Sequence, residues 1–127
     1  MTEIQLYLPK VPMRSRLLVK GRTWRAQWAK KKREQQDWQL LIRSKIGAQK
    51  PEKPLSGVVI ETTIYRRDEE RDADNLLYAC KALWDALKAE GIIFDDSSRH
   101  VAIKIPKQIK VTRADEEMTI VVIKERI

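Results

Sequence analysis

The sequence predicts an α+β domain in which a single mixed β-sheet packs against two main helices. Three observations carry that expectation. Residues 23–46 and 74–90 repeat apolar side chains at helical spacing, whereas 58–65, 101–105 and 118–123 are short runs rich in β-branched residues. At 127 residues and 14.9 kDa, with 43% hydrophobic and 35% charged residues, the chain has material for one modest core. We therefore treat 1–127 as one domain, with a basic N-terminal arm and helix over 1–55 and the sheet with an acidic site over 56–127.

The elements follow in order. Ile4 to Leu8 is a short extended piece closed by Pro9 and Pro12, and Met13 to Val19 can extend it until Gly21 breaks the chain. Thr23 is an N-cap for a helix to Ile46, in which Trp24 and Trp28 form one apolar stripe and Trp38, Leu41, Ile42 and Ile46 a second. One long helix is expected, with an interruption near Lys30 as the alternative. Trp24 and Trp28 are expected in the core or at a dimer interface rather than as base-stacking platforms. Gly47 ends the helix, and Pro51 and Pro54 mark a loop.

Val58 to Tyr65 alternates in the manner of a strand. A charged loop, 66–71, leads to a helix from about Asp74 to Glu90 with Leu76, Leu77, Cys80, Leu83, Trp84 and Leu87 on one side. Asp74, Tyr78, Lys81 and Asp85 line the other side, leaving a face for chemistry. Val101 to Ile105 reads as a strand that Pro106 confines to an edge, and Met118 to Ile123, apolar on both sides, as an interior one.

The formal charge of +8 and pI near 9.7 are unevenly distributed. Residues 1–55 carry 14 Lys/Arg against 4 Asp/Glu, and 56–127 carry 12 against 14. A basic arm beside an acidic pocket suits binding a polyanion and acting on it with a cation. Arg14, Arg16, Lys20, Arg22 and Arg25 are phosphate-contact candidates, joined by Lys30, Lys31, Lys32 and Arg33 on the first helix. Arg66, Arg67 and Arg71 extend the set beside the second. The lone Cys80, on an apolar helix face, is expected as a buried thiol, and with His100 as the single histidine no zinc site is expected. No stretch approaches about 18 apolar residues and the N-terminus lacks the apolar core of a signal peptide, so the expected location is cytoplasmic, with no membrane partner.

Two acidic islands, Asp72-Ala73-Asp74-Asn75 and Asp95-Asp96, bracket the second helix. With 72 and 74 in extended backbone and the helix folded back, four carboxylates would converge. Carboxylates about 4 Å apart repel by roughly 1 to 4 kcal/mol per pair, so a cluster demands protons or a cation. Mg²⁺, or Mn²⁺ in its place, is the natural occupant, being a hard ion served by oxygen ligands. Each residue also has a plain explanation: Asp74 as a helix cap and Asp95-Asp96 as an ordinary turn. An EF-hand is excluded because Leu76 and Leu77 stand where a ligand and the glycine belong.

Arg71-Asp72-Ala73-Asp74-Asn75-Leu76, followed by Asp85-Ala86-Leu87 and Gly91-Ile92-Ile93-Phe94-Asp95-Asp96, resembles the signature of RusA-type Holliday-junction resolvases over roughly residues 58–124. The resemblance implies a RusA-like fold and a small homodimeric, Mg²⁺-dependent endonuclease that cuts four-way DNA junctions symmetrically in recombination and repair, of bacterial or phage origin. Asp72, Asp74 and Asp96 match the family's metal-binding aspartates, and Asp95 a less central neighbour. The pattern carries a lysine three residues after the asparagine, where this chain has Tyr78. Lys81, about one turn on, or an arginine of 66–71 is then expected to supply the missing charge. Metal-assisted hydrolysis needs no histidine or serine dyad, and the general base stays unassigned. The alternatives are a non-catalytic structure-selective DNA- or RNA-binding protein and a nuclease for flaps or RNA.

Overall fold

A computed structural model describes residues 3–14, 23–70, 72–95, 99 and 101–125. The expected Arg16, Lys20, Arg22, Arg71, Asp96 and His100, and most of the proposed 13–19 extension, lie outside them.

Among the described residues the fold is α+β, one mixed sheet of five strands with two α-helices. Strand β1 (Ile4–Leu8) pairs antiparallel with β5 (Met118–Glu125), which pairs antiparallel with β2 (Val58–Arg66). Two short strands, β3 (Val101–Ile103) and β4 (Lys107–Lys110), run parallel to β2 along its other edge. Thus β5 is interior, as its apolar sequence on both faces predicts. β3 stops two residues short of expectation, and β4 was missed: Lys107-Gln108-Ile109-Lys110 has one apolar residue and resumes after Pro106, which has no N–H to give a ladder.

Register aligns side chains of like burial in rows. Ile4, Ile123, Ile60 and Ile103 are successive neighbours across the sheet; Leu6, Val121 and Thr62 form the next row, and Leu8, Thr119 and Ile64 the one beyond. The period of two along each strand puts these on one face. Both helices share the core cluster with that face.

Helix α1 (Trp24–Ile46) is uninterrupted, because Ala29 to Arg33 are all good helix formers and contain no glycine or proline. The Thr23 side chain accepts from the Ala26 amide, and Gly47 ends the helix at φ +52°, where a side chain would be strained. Trp38, Ile42 and Ile46 are buried, but the first stripe is not core: Trp24 is 75% and Trp28 51% exposed, their rings stacked 6.5 Å apart. Both lie ahead of the first buried residue of α1, Glu34.

Buried Glu34 fastens the end of the basic arm to α1. Its carboxylate accepts from the Met13 amide and the Trp38 indole N–H, and Lys10 Nζ lies 2.7 Å away. Two donors to Oε2 and the charge of Lys10 beside Oε1 offset the cost of burying the carboxylate.

Helix α2 (Ala73–Ala89) buries Leu76, Ala79, Cys80, Leu83, Trp84, Ala86 and Leu87, with Leu77 half-buried. Trp84 donates to Thr62 on β2 at 3.4 Å. The chain then turns at Gly91, φ +74°, and Ile93 forms a parallel bridge with Leu55, just ahead of β2.

Candidate metal centre

Asp72 is the N-cap of α2: its Oδ1 accepts from the amides of Asp74 at 2.9 Å and Asn75 at 3.2 Å. Asp74, expected as the cap or as an extended neighbour, is instead inside the first turn. Both carboxylates are exposed, and the second oxygen of Asp72 has no part in the cap.

Within one chain Asp95 does not join them, which corrects its share of the convergence expected from folding the helix back, while Asp96 lies outside the described residues. Seventeen residues of α-helix rise about 25 Å. Ile92 still bonds to Leu87 at the far end, and three extended residues beyond it recover at most about 10 Å. Asp95 therefore lies at least about 15 Å from Asp72 in the same chain, and no group of three or more His, Cys, Asp or Glu able to hold a metal occurs among the described residues. The reason is topological: α2 begins soon after the end of β2, and the chain that leaves it bridges Leu55, just ahead of the start of β2, through Ile93, so its two ends sit toward opposite ends of that strand.

The two carboxylates at the start of α2 nevertheless fit a hard divalent cation in part, since Mg²⁺ commonly binds one or two carboxylates and completes its shell with water and phosphate oxygens. Cys80 offers nothing here; burial pushes its thiol up to about 12.

The basic residues divide into three groups. Arg25, Lys31, Lys32 and Arg33 are exposed along α1, and Lys30 is half-buried. Arg14 and Arg67 are already engaged, Arg14 with Asp68 and Glu70 and Arg67 with Glu117. Arg66 departs from expectation: as the last inward-facing residue of β2 it is only 4% exposed, so it does not face a phosphate from the surface. Burial, then the nearby Arg14, pulls its pKa below the usual arginine range.

Lys81 lies on the exposed side of α2 as expected, 3.1 Å from Asp85. What the sequence concealed is Lys31, whose ammonium lies 5.0 Å from the centre of the Tyr78 ring. The proximity depends on two helices packing, and no local pattern encodes it. Trp28, Lys31, Lys32, Gln35, Gln39, Tyr78 and Lys81 line a groove of about 560 Å³ between α1 and α2, starting one turn from Asp74.

No protein-family model matches the chain, and no curated protein is significantly similar to it. No helix among the described residues is long and apolar enough to cross a membrane.

Proposed function

We propose that the protein is a homodimeric, Mg²⁺-dependent endonuclease of the RusA type that cuts four-way DNA junctions, and that each of its two sites is shared between subunits. The observation that carries this form of the proposal is the placement of the acidic islands. Asp72 and Asp74 open α2, and Asp95 follows its far end. A two-fold axis near the middle of α2 would set the first island of one subunit beside the second island of the other, Asp95 and Asp96. Such an axis makes both sites equivalent, which suits a junction nicked on two opposed strands.

Asp72 and Asp74 would hold the ion, with Asp96 of the partner subunit completing the set. The bound ion would supply an activated water and neutralise charge developing on the phosphoryl oxygens. The chain's own groups bind and orient the strand. Lys31 holds positive charge beside Tyr78, where the resolvase pattern has its lysine, and the exposed cations of α1 meet the phosphate backbone.

A second reading is favoured by one observation: Asp72 already has a structural role as the cap of α2. On that reading the protein is a structure-selective nucleic-acid binder without catalysis. Labelled four-way junction, duplex, flap and RNA incubated with and without Mg²⁺ decide between the two. Paired incisions in the junction that require Mg²⁺ and vanish in Asp72→Asn are expected of the resolvase. Binding without cutting establishes the alternative, and preferential cutting of flap or RNA reassigns the substrate.

A further inference from the structure

The groove between α1 and α2 has a composition that neither a protein core nor a purely electrostatic track explains. Its aromatic walls are Trp28 from α1 and Tyr78 from α2, both exposed. An ammonium accompanies each ring: Lys32 lies 4.9 Å from the Trp28 ring centre and Lys31 5.0 Å from that of Tyr78. Trp24 stacks on Trp28 at an interplanar angle of 24° and widens that platform. Amide side chains of Gln35 and Gln39 extend the lining, and the one carboxylate in it, Asp85, is paired with Lys81.

Exposed aromatic rings interleaved with cations are the chemistry that holds an unpaired nucleic-acid strand. Each base offers a π-face to a ring, while its phosphates meet the ammonium groups. A second protein surface would match this lining poorly, since three lysines would have to be desolvated against it.

We propose that this groove receives an unstacked base of a single-stranded DNA segment, seated against Trp28 and Tyr78, with the flanking phosphates on Lys31 and Lys32. The proposal rests on DNA being the ligand of the proposed function and specifies where an unpaired base goes. One turn of α2 separates Tyr78 from Asp74, so a strand seated here passes the candidate metal carboxylates.

The test is fluorescence anisotropy, without Mg²⁺, of the full chain with labelled ten-residue oligothymidylate and with an abasic strand of the same length. The wild type should bind the thymidine strand more tightly than the abasic one. Trp28→Ala and Tyr78→Ala should each weaken thymidine-strand binding by roughly 5- to 150-fold, leave abasic-strand binding unchanged, and retain the wild-type melting temperature. Trp28→Phe should recover most of the loss. Equal losses on both strands, or none, overturn the proposal, as does competition by free thymidine monophosphate at the affinity of the strand. Junction cleavage by the same variants separates this outcome from that of the proposed function. Base-dependent binding without any cutting leaves the groove standing and removes the nuclease, whereas full cutting with unaltered binding removes the groove alone.

Discussion

Lys31 on α1 sets its ammonium 5.0 Å from the ring centre of Tyr78 on α2. On the proposed function, the charge expected on the second helix would come from the first, since Lys81, the nearest lysine in sequence, is paired with Asp85 at 3.1 Å. Lys31→Ala should slow single-turnover junction cleavage by on the order of tenfold, the loss of about 1.4 kcal/mol of charge stabilisation. Lys81→Ala should have the smaller effect. The reverse order, measured at low and high salt, would return the role to Lys81.

A shared site predicts complementation. Asp72→Asn and Asp96→Asn homodimers should both be inactive. After mixing and subunit exchange, each heterodimer regains one intact site and should nick one strand of the junction. Sites contained within single chains would leave every mixture dead, because both subunits of each heterodimer carry a damaged site.

Asp72 has a capping role separable from any role with metal. Asparagine caps as well as aspartate, so Asp72→Asn should preserve stability within about 0.5 kcal/mol, while Asp72→Ala should lose about 1 kcal/mol by urea denaturation. Both should abolish cleavage. Activity retained in Asp72→Asn would leave only the cap.

Glu34 is 2% exposed and ties Lys10, Met13 and Trp38 together. Removing it with Glu34→Ala strands a buried indole N–H and an amide and loosens the arm, at a cost of about 3 kcal/mol. The urea midpoint should fall with little change in slope. Junction affinity should weaken as well if the arm contacts DNA.

Two carboxylates contribute to the acid side of the stability profile. Glu61 is held below the usual carboxylate range by its hydrogen bond from Lys124, with help from Lys104, and Glu90 by Arg43 and then Gln39. Unfolding returns both toward 4.5, so the unfolded chain binds more protons in acid. Their stabilisation is complete above that value and is lost as pH falls through the lower folded values. The melting temperature of Glu61→Gln/Glu90→Gln should therefore fall less steeply between pH 5 and 3 than that of the wild type.

Periodicity and punctuation alone determined most of the elements of this protein. Thr23 and Gly47 bound α1, the alternation of 58–65 makes β2, and the apolar arc from Leu76 to Leu87 becomes the buried side of α2, because each depends on side chains a few residues apart. The acidic islands and the uneven charge were visible in the same way. Tertiary structure alone decided what lies beside what. It exposed Trp24 and Trp28, turned Arg66 inward, brought Lys31 to Tyr78 and kept Asp95 at least about 15 Å from Asp72. These outcomes follow from how α1 and α2 pack on each other and on the sheet. Local sequence carries no record of this packing, since it is set by whole elements.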